Sequence, residues 1–215
     1  MSSTETGTDT RERILRAAER LYAEHGIDAV SRADINRESG VKNRSAVNYH
    51  FGDKEALLLA ILERRESQLR EHRERLIAEL RADAPLGPRE IAIALVRPLG
   101  AMLHDSEGGH AYLLIAAQLV GHPSLSRYDS NFATVRRAED SVASHFSRTL
   151  SSHSDERFLS RAMLVTGMMF HSFADYVRLQ RSSAPSIQVP SPDDYVDDVI
   201  ECLAAIIAAP LPTAD

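Results

Sequence analysis

The sequence predicts an all-α fold, and two observations carry that prediction. Apolar residues recur at the three- and four-residue spacing of amphipathic helices along most of the 215-residue chain. Strict apolar–polar alternation, which is typical of a half-buried strand, is missing from the sequence, and so is any internal repeat. We therefore expect helices throughout, divided into a small N-terminal domain over residues 11–57 and a larger C-terminal domain over residues 58–215.

The composition is that of an ordinary globular protein. Hydrophobic residues make up 43% of the chain and charged residues 26%. The single cysteine, Cys202, excludes an internal disulfide framework, and its apolar surroundings favour a buried structural thiol. No run approaches the ~20 apolar residues of a membrane helix, and the N-terminus lacks the regions of a signal peptide. We expect a cytoplasmic protein with a disordered tail over residues 1–10.

The stretch from Ser31 to Phe51 predicts two short helices joined by a tight turn. Ser31 can cap the first helix, and Asp34 stands three residues later, where a capping box places its acidic residue. Gly40 tolerates the left-handed conformation that ends a helix, and a second helix can begin near residues 43–45. This order is the helix-turn-helix pattern, whose second helix enters the major groove of DNA.

The side chains around the second helix suit contacts with DNA. Arginine and lysine reach guanine edges or phosphates, asparagine pairs with adenine, and serine and tyrosine bind phosphate. Lys54 falls in the first turn of the next helix, where free backbone N–H groups attract phosphate. The alternative interpretation is a polar surface helix of some other helical protein. The candidate DNA-binding residues are Ser31, Arg32, Lys42, Asn43, Arg44, Ser45, Asn48, Tyr49, His50 and Lys54.

The charge of the chain argues mildly against nucleic-acid binding. The net charge is −6, and the first 60 residues hold nine basic and ten acidic side chains. Between residues 40 and 54 there are three basic side chains and one acidic one. Affinity for DNA would therefore depend on this local patch, and a dimer would double it.

Residues 11–57 also carry a set of short motifs in a fixed order. They are Arg13-Ile14-Leu15-x-Ala17-Ala18, Leu21-x4-Gly26, Ile35, Ser39-Gly40-Val41 and Asn48-Tyr49-His50-Phe51-Gly52-Asp53-Lys54-Glu55-x-Leu57. This set resembles the DNA-binding domain of the TetR family of transcriptional regulators, and the last run is its most specific part. The stretch between Val41 and His50 is one residue longer than the commonest family form, so base contacts do not transfer position by position.

The C-terminal sequence predicts further helices. Asp53 can cap a long helix that runs to about Arg81, with a solvated charged middle over residues 63–75. Helices are then expected over residues 89–104 with a kink at Pro98, over 111–120, along an apolar stripe from Phe132 to Leu150, over 155–181, and from Ser191 onward. Residues 163–176 are apolar on nearly every side, so we expect them at the centre of the domain.

The resemblance implies an effector pocket in the C-terminal domain and a homodimer. Methionines and aromatic residues with a few polar anchors are typical of an adaptable small-molecule site, although His171 is also explained as a core histidine. We assign the pocket to Gln118, Met163, Met169, Phe170, His171, Phe173 and Tyr176. The dimer interface is assigned to the helix from Asp155 and to the final helix, two helices from each chain in a four-helix bundle. The final helix contributes its wide apolar face, through Val196, Val199, Ile200, Leu203, Ile206 and Ile207.

Signs of catalysis or metal binding are weak. The cluster His104-Asp105-x-Glu107-x2-His110 has metal-ligand residue types but stands in a glycine-rich, solvated loop. The aspartates at 193, 194, 197 and 198 are explained by the dipole of the final helix. Nucleophile-elbow, Walker, dinucleotide and HExxH motifs do not occur. We therefore expect no enzyme, no metal and no cofactor.

The resulting hypothesis is a homodimeric repressor that binds a palindromic operator in double-stranded DNA. A small apolar effector would release it by changing the separation of the two reading heads. Two alternatives remain at this point: an architectural DNA-binding protein without an effector, and a helical enzyme.

Overall fold

A computed structural model describes residues 2–41, 43, 45–80, 86–106, 108–120, 146, 155–182 and 188–210. Within these ranges the chain is helical and contains no strand, which confirms the all-α prediction. The predicted stripe from Phe132 to Leu150 lies outside the described residues, apart from Phe146, which is helical and buried. The helices are α1 (Ser2–His25), α2 (Arg32–Glu38), α3 (Ala46–Phe51), α4 (Lys54–Leu80), α5 (Pro88–Gly100), a 3-10 helix (Ala101–His104), α6 (Gly108–Leu119), α7 (Asp155–Arg181) and α8 (Pro192–Ala208).

Helices α1 to α3 form the N-terminal reading head. Ile14 and Tyr22 on α1 are fully buried in a core shared with Ile35 of α2 and Val47 of α3. Helix α1 begins at Ser2, so the disordered tail predicted for residues 1–10 is wrong over the part that the structure describes. Once packing has fixed a helix, each added residue gains one hydrogen bond without a new nucleation cost.

Helix α4 connects the reading head to the rest of the chain. Asp53 caps it as predicted, accepting a hydrogen bond from the backbone N–H of Ala56 at 2.7 Å. Leu57 and Ile61 are buried near the start of the helix, Leu69 in its middle and Ile77 near its end. Both ends of the helix therefore contribute to one continuous core, so this connecting helix packs against the rest of the chain along its length.

The charged middle of α4 is less solvated than predicted. Arg73 donates to Glu66 at 3.1 Å, and 15% of each side chain is exposed. The hydroxyl of Tyr112 on α6 donates to the same carboxylate at 3.1 Å. Burial, and then the charge of Glu66, raise the pKa of Tyr112. The expectation of a solvated face was wrong here because charge pairing allows burial, which the charge pattern alone does not reveal.

Helix α8 packs against α5 of its own chain. The methyl groups of Val196 lie so close to Gly100 that a Cβ at that position would overlap them. Val196, Val199, Ile200, Leu203 and Ile207 are buried and Ile206 is partly buried, so the prediction that these six form the dimer interface is wrong. The spacing identified the apolar face correctly, but spacing does not say which surface covers it. Cys202 points away and is exposed, which contradicts the predicted buried thiol.

Helix α7 packs through one face and exposes the other. Val165, Met169 and Phe173 are buried, whereas Met163 and Leu164 are 66% and 58% exposed. The prediction that residues 163–176 lie at the centre of the domain is therefore wrong for one side of the helix. That centre is held by α6, in which every residue from Gly108 to Ala117 is buried.

Candidate DNA-binding site

The start of α2 is fixed by a capping box, as the sequence predicted. The hydroxyl of Ser31 accepts from the backbone N–H of Asp34 at 3.2 Å, and the Asp34 carboxylate accepts from the Ser31 N–H at 3.0 Å. The hydrogen bond that the carboxylate accepts from the Ser31 hydroxyl, then the one from the Ser31 N–H, and a further one from Arg37 lower the pKa of Asp34 to about 2. Ser31 is thus used for the local fold, and its hydroxyl also donates to Asp34 at 2.6 Å.

The turn between α2 and α3 is tied to α1. Arg13 donates to the carbonyl of Ser39 at 2.6 Å, and Gly40 follows with φ of 64°, the left-handed conformation that glycine favours. The backbone N–H of Ser45 donates to the side-chain oxygen of Asn43 at 2.9 Å, so Asn43 shapes the turn. Two other predicted contact residues, Lys42 and Arg44, lie outside the described residues.

Helix α3 has one buried and one exposed face. Ala46 and Val47 pack into the core of the reading head, while Asn48 is exposed and Tyr49 is 82% exposed. Arg32 at the start of α2 donates to the Asn48 side-chain oxygen at 2.8 Å, which orients this amide. The short helix therefore presents hydrogen-bonding groups on the side that faces away from the protein.

Aromatic and basic residues flank this surface. The His50 ring lies edge-on to Tyr49, with centroids 5.1 Å apart. Lys54 places its ammonium 5.7 Å from the centroid of the Tyr22 ring, at the first turn of α4. Arg11 stacks over Phe51 at 4.8 Å from the ring centroid and adds a positive charge that the sequence analysis did not assign to the site. In the sequence, Arg11 stands two residues before the motif that begins at Arg13, and this position could have indicated that it belongs to the site.

The predicted effector residues do not converge on one site. Gln118 is hydrogen-bonded to the backbone of α1, and His171 and Met163 are exposed. The hydroxyl of Tyr176 donates to the carbonyl of Pro190 at 2.7 Å. Met169 and Phe173 are buried and Phe170 is partly buried. Gln118 thus contacts the reading head and His171 is exposed, so the described residues do not bring the two predicted polar anchors together. Helical spacing did not show which face of each helix the domain covers.

The cluster of metal-ligand residue types is also dispersed. His104 faces Asp193 of α8 at 3.1 Å, and His110 is buried with its Nε2 2.9 Å from the Leu103 carbonyl. Asp105 pairs with Arg65, while Glu107 lies outside the described residues. Among the residues that the structure describes, no group of three or more His, Cys, Asp or Glu side chains is arranged to hold a metal ion. No helix in the same ranges is long and apolar enough to cross a membrane.

Two family profiles match the chain and cover most of it. Residues 14–61 match the profile described as bacterial regulatory proteins, tetR family. Residues 93–205, more than half of the chain, match the profile described as tetracyclin repressor-like, C-terminal domain. This chain belongs to the TetR family. The membership predicted from the short motifs is confirmed.

Curated relatives of this TetR-family chain match it over part of their length. The transcriptional repressor AcnR of Corynebacterium glutamicum is 43% identical over 54 residues, which cover 25% of this chain and 28% of that protein. The transcriptional regulator AcrR of Shigella flexneri is 37% identical over 89 residues, 40% of this chain and 39% of that protein. The matched segments thus span well under half of either relative.

Solved structures of other regulators share the whole fold. NalD of Pseudomonas aeruginosa, described as the secondary repressor of the MexAB-OprM multidrug efflux pump, has a TM-score of 0.56 at 22% identity and covers 93% of this chain and 95% of its own. The TetR-family regulator PfmR of Thermus thermophilus has a TM-score of 0.53 at 22% identity, with coverage of 94% and 98%. At this identity the likeness establishes the shared fold.

Proposed function

We propose that this TetR-family chain is a transcriptional repressor that binds a palindromic operator as a homodimer. The observation that carries the proposal is the division of α3 into a buried face, with Ala46 and Val47, and an outward face, with Asn48 and Tyr49. A short helix held in this way on a three-helix head is suited to the major groove. AcnR and NalD are both named repressors, which supports the direction of the regulation.

The basic groups flanking α3 supply the contacts to phosphate in this proposal. Lys54 stands at the first turn of α4, and Arg11 lies beside Phe51 at the end of α3. Neither position carries base-specific information, so these residues would fix the register of the head on the duplex. Asn48, oriented by Arg32, is the described side chain best suited to read a base edge.

The second copy of the chain is proposed to dock on the exposed face of α7. Leu159, Met163 and Leu164 are each more than half exposed, and the space around Gly167 is open, since nothing lies within 4 Å of a Cβ built there. A contiguous exposed apolar patch marks an interaction surface. A two-fold axis through α7 would make the interface self-complementary and would present two α3 helices to half-sites about 34–36 Å apart.

The experiment that tests the DNA-binding proposal is fluorescence anisotropy with duplex DNA from upstream of the chain's own gene. We expect tight binding to one palindromic segment and much weaker binding to a scrambled duplex of the same length and composition. The affinity should fall as salt concentration rises, since phosphate contacts release counterions. Equal affinity for both duplexes across the salt series would contradict a sequence-specific repressor and favour an architectural role.

A further inference from the structure

A polar cleft of about 530 Å³ lies where the reading head meets the C-terminal domain. One wall is the side of α1, and the others are α4, the loop at 105–106, the start of α6 and the last residue of α7. Volumes of this size accommodate small-molecule ligands. A molecule bound here would touch both domains at once.

Arginine dominates the walls of the cleft. Five guanidinium groups and three carboxylates line it, so the walls carry more positive than negative charge. Two of the arginines, Arg16 and Arg64, approach the same oxygen of Glu12 outside the cleft, at 2.8 and 2.9 Å. Arg20 contacts Glu38, likewise outside the walls. These two outer carboxylates orient three of the guanidinium groups and offset part of their positive charge.

Arg181 has a different setting from the other four. It is the final residue of α7, it is exposed, and among the described residues no carboxylate lies within ion-pair distance of it. Its neighbour Arg178, in the same helical turn, pairs with Asp175 at 2.6 Å and does not line the cleft. The charge of Arg181 is therefore available to an anion bound in the cleft.

The innermost group is Arg65, which is 16% exposed. Its Nη1 lies 3.2 Å from Asp105, but its Nε stands 3.9 Å from Glu19, too far for a hydrogen bond. Both this Nε and the facing Glu19 oxygen are buried without a hydrogen-bond partner. A Cβ at Gly108 would overlap the Arg65 guanidinium, so this glycine leaves the space that the arginine needs. The Arg65 guanidinium therefore keeps hydrogen-bonding capacity that its contact with Asp105 does not use.

We propose that this junction cleft binds a small polyanion, a molecule with two or more carboxylate or phosphate groups. Guanidinium groups form paired hydrogen bonds with both kinds of oxyanion. One anionic group would bind at Arg65, and another would reach the arginines nearer the surface, including Arg181. Such a ligand would fix the orientation of α1 relative to α4 and α6. Its effect on operator affinity rests on the proposed function, whereas its binding does not.

Binding is tested on the full chain without DNA, with pyrophosphate and succinate as probes. Acetate and sodium chloride at matched ionic strength serve as controls. We expect saturable binding of at least one probe by calorimetry, and a rise in Tm of about 5–10 °C at a hundredfold excess over Kd. Pyrophosphate acting alone would assign the cleft to phosphates, and succinate acting alone would assign it to carboxylates. If neither probe gives a saturable response beyond that of the controls, the proposal is wrong.

Arg181→Gln and Arg178→Gln form a matched pair of variants. Both change one exposed arginine in the last turn of α7, but only Arg181 lines the cleft. We expect Arg181→Gln to weaken probe binding about tenfold or more and Arg178→Gln to leave it unchanged. Arg65→Gln should abolish it, with folding checked by circular dichroism. Equal probe affinity in wild type and Arg181→Gln would overturn the proposed site. If the protein binds the probes but shows no sequence-specific DNA binding, the repressor proposal is wrong and the polyanion site in the cleft still stands.

Discussion

The side-chain amide of Gln118 on α6 bonds to the backbone beside Ile27 in the reading head. Its oxygen accepts from the Ile27 N–H at 2.8 Å, and its nitrogen donates to the Tyr22 carbonyl at 3.0 Å. Tyr22 lies in the last turn of α1, and its carbonyl also accepts from the backbone N–H of Gly26 at 3.1 Å, the residue that ends the helix with φ of 92°. The C-terminal domain thus holds the end of a helix that belongs to the reading head.

Replacing Gln118 with alanine should loosen the two domains. We expect a loss of about 1–3 kcal/mol in the free energy of unfolding, because the Ile27 N–H loses its partner and the Tyr22 carbonyl loses one of its two partners in a partly buried position. Urea denaturation followed by circular dichroism measures this loss. Gln180→Ala is the control, since Gln180 bonds to the Tyr176 hydroxyl near the surface at 3.3 Å. Equal stability of the two variants would show that the Gln118 contacts contribute little.

Leu164 and Leu203 distinguish the proposed dimer surface from the core. Leu164 is 58% exposed on α7, whereas Leu203 is fully buried on α8. We expect Leu164→Glu to sediment as a folded monomer with unchanged helical circular dichroism. Leu203→Ala should lose about 2–5 kcal/mol of stability through the cavity it creates. A Leu164→Glu protein that still sediments as a dimer at micromolar concentration would place the interface elsewhere.

Asn48 is expected to carry sequence specificity. Asn48→Ala should weaken binding to the operator by about 1–3 kcal/mol more than binding to scrambled DNA. Arg32→Ala should act in the same direction, since Arg32 orients the Asn48 amide. A double-mutant cycle by fluorescence anisotropy would show coupling between the two residues. Strictly additive effects would mean that Arg32 contacts DNA independently.

Lys54 is expected to contribute affinity without specificity. Lys54→Ala should weaken binding to operator and to scrambled DNA by the same factor. It should also reduce the slope of log affinity against log salt concentration by about 1. The measurement is anisotropy at several salt concentrations. Glu55→Ala, one residue further along α4, is a positional control that removes an acidic group. A loss restricted to the operator would show that Lys54 reads a base.

Glu19 should make the stability of the fold depend on pH. Burial raises the pKa of this carboxyl above its ordinary 4.5, although Arg65 opposes the shift. Between pH 4.5 and the raised value, the folded chain binds more protons than the unfolded chain, so stability should fall as pH rises through this window. In Glu19→Gln this pH dependence of the stability should disappear, because the amide does not titrate.

Urea denaturation across that pH range compares Glu19→Gln with wild type and with Glu24→Gln, which alters an exposed carboxylate. Only the Glu19→Gln variant should lose the decrease in unfolding free energy with rising pH. Parallel curves for all three proteins would show that the Glu19 proton does not contribute.

Much of the secondary structure could be predicted because its signals are local. Ser31 with Asp34, Asp53, and Ser191 with Pro192 marked the starts of helices, and the structure has those caps. The apolar spacing of α8 identified its buried face correctly. The short run around Tyr49 and His50 was specific enough to indicate the family. These features depend on residues within one or two helical turns of each other.

The sequence by itself thus determined the helices, their caps and the family of the reading head, since each depends on neighbouring residues. Only the tertiary structure decided which surface covers each apolar face. The α8 face packs on α5, and the open apolar surface lies on α7 around Leu164. It also decided that Gln118 donates a hydrogen bond to α1 and that Glu19 lies beside Arg65, 46 residues away. Contacts between residues so far apart in the chain depend on how whole helices pack, and helical periodicity carries no information about the partner.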